Sequence, residues 1–319
     1  MRKVLYALIP GILLSTYYFG IGILVHCILA VVFALILEAL VLILRQQMIR
    51  PVITDGTAIV TAILFALTIS PYTPWWVSFT GIAFAVVVAK HLFGGLGNNP
   101  FNPAMAGYVF VLLSFPIQMA HWPDLSGFAE QKLTIWQNID IIFSGLPIEL
   151  DAITGATPLT NMKLELGLMA MVSEIESSPL YGSFGGKGWE WIALAYLAGG
   201  IFLIINKIIR WEIPLYVVGS IFLVSLFFNF IDTEVYPPAL FHLFTGGTML
   251  CAFFIATDPA SSSTTPKGKI IYGVGVGLFV YIIRTWSSYP DGVAFAILIM
   301  NGLVPLIDYY TRPKALGEK

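Results

Sequence analysis

The run Ile21-Gly22-Ile23-Leu24-Val25-His26-Cys27-Ile28-Leu29-Ala30-Val31-Val32-Phe33-Ala34-Leu35-Ile36-Leu37-Glu38-Ala39-Leu40-Val41-Leu42-Ile43-Leu44 spans 24 residues with a single carboxylate, Glu38. A helix crosses the hydrocarbon core of a bilayer with about 20 apolar residues, so the run predicts a transmembrane helix. The rest of the chain repeats the pattern. Of 319 residues 58% are hydrophobic, before the 29 glycines are counted, against about 45–50% with glycine included in a soluble domain. Charged residues make up 11% where about 25% is usual, too few to solvate the outside of a globule. Lipid is therefore the solvent for most of the chain.

Apolar runs fall at 4–20, 21–44, 56–70, 75–93, 103–119, 189–206, 213–230, 237–257, 270–286 and 291–310. The first is interrupted by Pro10 and Gly11 and carries interfacial residues from Ser15 to Tyr18, but no small-residue cleavage site follows it. The expected fold is an all-α polytopic membrane protein of about ten transmembrane helices. Lysine and arginine set the orientation. With the N-terminus inside, Arg2, Lys3, Arg45, Arg50, Lys90, Lys207, Arg210, Lys267, Lys269, Arg312, Lys314 and Lys319 fall at inner ends, twelve of the sixteen. Removing one span would exchange the sides and destroy the asymmetry. Both termini are thus expected in the cytoplasm. The chain divides into five helices over 1–119, an outer-face loop subdomain over 120–188 and five helices over 189–319. Each half has five spans and so opposite orientation, which allows an inverted repeat.

The outer segment carries Asp124, Glu130, Asp140, Glu149, Asp151, Glu165, Glu174 and Glu176 against three lysines. A stretch of this length without an apolar span is uncommon unless it is functional. Within it lies Asp151-Ala152-Ile153-Thr154-Gly155-Ala156-Thr157-Pro158-Leu159-Thr160. Gly155 and Ala156 leave the backbone uncovered before the Thr157 hydroxyl, and Pro158 restricts the chain after it. The same spacing also reads as a helix start, with Thr157 capping and Pro158 at the first helical position.

Asp151-x-x-Thr154-Gly155-Ala156-Thr157 resembles the flavinylation motif of membrane flavoproteins. Further likeness lies in Asp55-Gly56-Thr57-Ala58-Ile59-Val60-Thr61, Pro74-Trp75-Trp76, Phe115-Pro116-Ile117-Gln118-Met119 and Thr257-Asp258-Pro259, and in the long run from Lys90 to Met105. Together these resemble the D subunits of Rnf ion-translocating ferredoxin:NAD oxidoreductases, over residues 4 to 311. That family is similar to the B subunit of the sodium-pumping NADH:quinone reductase. The resemblance implies an electron-relaying subunit that couples redox to Na⁺ or H⁺ transport in the bacterial inner membrane, with residues 120–188 periplasmic. It implies FMN linked through a phosphoester to Thr157 by a flavin transferase, and partners that include a second FMN-bearing subunit and iron–sulfur subunits. Nicotinamide and ferredoxin sites are then expected on other subunits. In agreement, no Gly-x-Gly-x-x-Gly follows a strand pattern, and Gly273-Val274-Gly275-Val276-Gly277 lies in an apolar run where helix packing is the expected use.

A second constellation is Gly94-Gly95-Leu96-Gly97-Asn98-Asn99-Pro100-Phe101-Asn102-Pro103-Ala104. Irregular backbone at membrane depth is tolerated where it is buried in protein or lines a cavity. The Asn99 and Asn102 amides could bond a flat, polar-edged ring, or could cap helix ends. The resemblance to the quinone reductase component implies a noncovalent riboflavin here. For ion coupling, Glu38 lies inside a span, while Asp55, Asp258 and Asp308 fall near inner ends. An intramembrane carboxylate is a functional candidate, although each could also pair with a nearby Arg or Lys. Thr257-Asp258-Pro259 is the strongest, because a helix break beside a carboxylate suits a hard cation. His91 stands where the quinone reductase relative has an acidic residue, so that family's sodium path does not transfer directly.

Net charge is −2 with scattered basic residues, which excludes a nucleic-acid binder held by phosphate contacts. Cys27 and Cys251 cannot build an iron–sulfur site alone and are expected as buried small hydrophobes. His26, His91, His121 and His242 lack metal-ligand spacing. The alternative class is a channel or secondary transporter, because Asn102-Pro103-Ala104 resembles the water-channel signature, with Asp258-Pro259-Ala260 as a degenerate second copy. The charge pattern places both at the inner face, whereas in a water channel the two enter from opposite faces.

Overall fold

The computed structural model describes residues 1–95, 97–125, 133–145 and 154–312. It is mainly helical. The first half contains α1 (Arg2–Phe19), α2 (Gly22–Leu44), α3 (Ile49–Ile53), α4 (Thr57–Ala66), α5 (Trp75–Ala83), α6 (Pro103–Ser114) and α7 (Pro116–Ala120). Beyond Ala83, α5 continues as π-helical turns to His91. The polar segment adds α8 (Ile135–Ser144), α9 (Pro158–Gly167) and α10 (Val172–Glu176), with a two-stranded antiparallel ladder of β1 (Trp122–Pro123) and β2 (Thr154–Gly155). The second half contains α11 (Trp189–Ile205), α12 (Glu212–Ile231), α13 (Ala239–Phe244), α14 (Thr248–Leu250) with π turns to Ile255, α15 (Pro266–Trp286) and α16 (Val293–Thr311).

The α2 helix shows why lipid must surround this fold. Its buried stripe runs through Ile23, His26, Cys27, Ala30, Ala34, Glu38 and Leu42 at helical spacing, while Ile28, Val32, Ile36, Leu40 and Ile43 are exposed on the other side. A water-facing helix would be polar there. By length and composition α2, α12, α15 and α16 can each cross a membrane, and shorter apolar helices occupy 57–66, 75–91, 103–114 and 189–205. The expected runs 56–70 and 103–119 are only partly continuous helix: α4 ends at Ala66, and α6 stops before Phe115 and its following proline. The run 237–257 is broken at Thr245–Gly247, where Gly246 takes φ +71°.

Helices from both halves share one hydrophobic core, which includes Leu8, Ala34, Phe65, Met105, Leu203, Val217, Val280 and Ile297. The halves meet where α1 packs on α11 and α6 on α16. The glycine run of α15 serves packing, as its sequence predicts. A Cβ on Gly277 would strike Ser220 and the Val217 carbonyl of α12, and one on Gly275 would meet Met300 of α16. Such close approach supplies the dispersion contacts that hold helices together in lipid. Cys27 and Cys251 are both buried and unbonded, as expected.

Candidate functional site

The motif segment reaches its helix through the β1–β2 ladder, in which Trp122 pairs with Gly155 and Pro123 with Thr154. Asp151 lies outside the described residues. A Cβ on Gly155 would sit 3.1 Å from that of Asp124, a tight contact beside the ladder. Ala156 is exposed and Thr157 half-buried. Thr157 is the N-cap of α9, with Pro158 at the first helical position. Its Oγ accepts from the Thr160 N–H at 3.2 Å and lies 2.8 Å from the Thr160 hydroxyl. The helix-start reading of these residues is therefore correct.

Two contacts fix α9 in place. Pro158 packs on Gly186 so closely that a Cβ there would collide with the proline ring. The Tyr181 hydroxyl donates to Asn161 Oδ1 at 2.9 Å and approaches the Pro158 carbonyl at 3.3 Å. Burial, with Glu176 and Glu165 nearby, raises the Tyr181 phenol above its ordinary value and keeps it a neutral donor. Leu159, Met162, Ile175 and Phe241 form a small core beneath α9, separate from the main one.

Beside that core, Arg284 closes the break in the second half. Its guanidinium donates to the carbonyls of His242 at 2.6 Å and Thr245 at 3.4 Å, and to Asp291 Oδ1 at 2.9 Å. Asp291 Oδ2 in turn accepts from the Gly247 N–H at 2.9 Å. Orphaned helix-end groups on both sides of the break are thus paired, as buried backbone requires. Lys163 of α9 donates to the carbonyls of Arg284 at 2.7 Å and Tyr289 at 3.2 Å, where α15 ends. Burial lowers the pKa of its ammonium. The structure thus brings Lys163 and Arg284, 121 positions apart, to the same place.

At the loop before α6, Asn99 Oδ1 accepts from the Gly97 N–H at 3.2 Å and its amide donates to the Phe101 carbonyl at 3.1 Å. Asn102 caps α6 through the Met105 N–H at 3.2 Å. Both amides are buried and engaged within the chain. Asn301, which belongs to none of the sequence motifs, completes the junction. Its Oδ1 accepts from the Asn102 N–H at 3.0 Å, and its amide donates to the Ser261 carbonyl and the Tyr272 hydroxyl, each at 2.9 Å. A lone asparagine in the middle of the apolar run 291–310 was the available signal. Asn102-Pro103-Ala104 begins a helix, whereas Asp258-Pro259-Ala260 sits in a turn ahead of α15, so the two are not structural counterparts.

The carboxylates have local partners. Glu38 pairs with Lys90 at 2.6 Å, with His91 Nε2 at 3.5 Å. Lys90 also donates to the Thr57 hydroxyl at 3.1 Å. Asp55 accepts from the Thr57 N–H and hydroxyl, each at 2.7 Å, at the start of α4. Asp258 accepts from the Ser261 hydroxyl at 2.8 Å, and Asp308 from Thr264 at 2.8 Å. Lys90, which the orientation count places at an inner end, is buried with its ammonium on Glu38. Among the described residues no three His, Cys, Asp or Glu side chains converge as they would on a metal ion.

Apolar lipid-facing helices and a broken helix closed by buried charge define a polytopic helical membrane protein. The chain belongs to the NQR2, RnfD, RnfE family, whose sequence pattern it matches over residues 1–317. It is similar to the D subunits of ion-translocating oxidoreductase complexes, being 48% identical to that of Vibrio vulnificus, 44% to that of Aliivibrio salmonicida and 43% to that of Vibrio cholerae. Each comparison covers all of this chain and 94% of the relative.

Proposed function

We propose that this chain is the D-type membrane subunit of an ion-translocating ferredoxin:NAD oxidoreductase complex and relays electrons through FMN held as a phosphoester on Thr157. The observation that carries the reading is the motif's last threonine standing at the N-cap of α9, beside the exposed Ala156. A helix N-terminus offers free N–H groups and a positive dipole end, which suit a phosphate. Bound there, FMN would supply one- and two-electron chemistry, and this chain's part is to hold and orient it. A covalent link maintains high local concentration however weak the pocket. Maturation requires a flavin transferase, and electrons reach this subunit from partners carrying FMN and iron–sulfur clusters.

In this reading all ten apolar runs traverse the bacterial inner membrane as two inverted sets of five. Both termini are cytoplasmic and the segment 120–188 forms a periplasmic subdomain. The junction of α1 with α11 and of α6 with α16 supports the pairing of the halves. The loop at Asn99 and Asn102 is where a noncovalent riboflavin binds in this reading. Glu38, Asp55 and Asp258 are the ion-coupling carboxylates for Na⁺ or H⁺. Flavin fluorescence on the denatured chain tests the central claim: fluorescence is expected in the wild type and absent in Thr157→Val. A fluorescent Thr157→Val chain overturns the assignment.

A further inference from the structure

A cavity of about 380 Å³ lies between α9 and the outer ends of α13 and α15. Its walls include Leu159 and Met162 from α9, with Phe241, His242 and Trp286 opposite. The size and the apolar, aromatic lining with few polar groups are those of a small-molecule site. Thr157 caps the helix that forms one wall. At about 1.5 Å per residue, Met162 and Lys163 follow it by about 8–9 Å along the axis, a span that a ribityl phosphate arm covers.

The polar groups of the walls are of two kinds. Lys163 and Arg284 are committed to protein acceptors, and the Arg284 charge is balanced by its ion pair with Asp291. His242 differs: its side chain is 4% exposed, and neither ring nitrogen has a hydrogen-bond partner. Its ring stands edge-on to Tyr281, 5.1 Å between centroids, and its carbonyl, not its ring, serves Arg284. A buried polar group without a partner costs free energy unless a ligand supplies one.

We propose that this cavity receives the isoalloxazine ring of the Thr157-linked FMN, with His242 hydrogen-bonding its polar edge. The inference rests on the Thr157 reading. Negative charge gained by the ring on reduction would be stabilised there by an N–H of the His242 imidazole, with the Lys163 ammonium in the same lining. His242 is therefore a positioning and potential-setting residue.

The test uses the purified complex and three variants: His242→Phe, His242→Gln and Leu166→Trp, the last filling the cavity from α9. Linked flavin is first verified by fluorescence of each denatured chain. The midpoint potential and iodide quenching of that flavin are then measured in the folded complex. His242→Phe is expected to weaken the preference for the reduced form about tenfold, about 30 mV for a two-electron couple, and His242→Gln to restore most of it. Leu166→Trp is expected to expel the ring and at least double its quenching by iodide. Unchanged potential and quenching in both His242→Phe and Leu166→Trp, with flavin still linked, overturn this inference alone; a cavity that houses lipid or quinone gives that result. No flavin on the denatured wild-type chain overturns the Thr157 reading and this inference with it.

Discussion

Lys90 Nζ lies 2.6 Å from Glu38 Oε1, and the two side chains are 2% and 0% exposed. The residues are 52 positions apart, on the π-helical end of α5 and the C-terminal third of α2. The Thr57 hydroxyl at 3.1 Å gives the ammonium a second acceptor, while Glu38 Oε2 has no partner. Each charge makes the other tolerable in a low-dielectric interior.

Breaking this pair costs more than removing it. Glu38→Gln or Lys90→Met leaves one buried charge uncompensated, which typically costs about 3–5 kcal/mol. Glu38→Leu combined with Lys90→Leu should be substantially less destabilising than either single change. Thermal unfolding in detergent reads the order; a double variant as unstable as the singles would show that the pair does not share one desolvation cost. Turnover of the double variant then tests Glu38 as an ion-coupling carboxylate.

Thr157 has two duties that substitution separates. Thr157→Val should abolish linked flavin and also remove the α9 cap, at about 0.5–2 kcal/mol. Thr157→Asn should keep the cap and lose the flavin. Thr154→Val should retain the flavin. Fluorescence of denatured chains and unfolding of the intact protein check both; loss of flavin in Thr154→Val with retention in Thr157→Asn would move the linkage.

The orientation is open to cysteine labelling. Ser177 and Gln47 are both exposed, on the outer segment and at the opposite expected face. A cysteine at Ser177 should react with a membrane-impermeant thiol reagent in spheroplasts, and one at Gln47 only after lysis. The reverse pattern would place flavin attachment in the cytoplasm.

Asn301 bridges the halves through Asn102, Ser261 and Tyr272. Asn301→Leu strands those groups without partners, at about 1–3 kcal/mol for each group left unpaired, and should lower thermal stability while the Thr157 site keeps its flavin. For the proposed riboflavin, Asn99→Leu with Asn102→Leu should reduce acid-extractable flavin in the complex. Unchanged extractable flavin would make the loop a structural turn.

Burial, and then the nearby Glu234, raise the Glu176 pKa above the ordinary carboxylate value. A carboxyl with a folded pKa above its unfolded one favours the fold while protonated. That contribution is complete below the unfolded pKa and is lost as pH rises through the folded one. The outer segment should therefore become easier to proteolyse as pH rises through the upper carboxylate range. Glu176→Gln should flatten that dependence; an unaltered profile would assign it to another group.

How much of this was legible in the sequence depended on range. Apolar runs such as 21–44 and 291–310 announced their helices because lipid burial is written in local composition. Asp151 to Thr157 was legible as a motif, and Thr157-Pro158 as a helix start, because capping needs only a few neighbouring residues. The break in 237–257 was harder to see, since Gly246 and Gly247 resemble packing glycines until Arg284 is found on the Thr245 carbonyl and Asp291 on the Gly247 N–H. The loop at Asn99 and Asn102 was visible as irregular backbone, but its satisfied amides were not.

By itself the sequence determined that this protein lives in lipid as a set of helices, with one polar segment bearing a threonine motif. Those properties follow from residue type and spacing along a few turns of chain. Tertiary structure alone decided that Lys90 belongs to Glu38, that Asn301 binds Asn102, and that His242 faces a cavity beneath the Thr157 helix. Each of those relationships joins residues far apart in sequence, and a side chain's partner is then chosen by which helix faces pack together and by the cost of leaving a buried polar group alone.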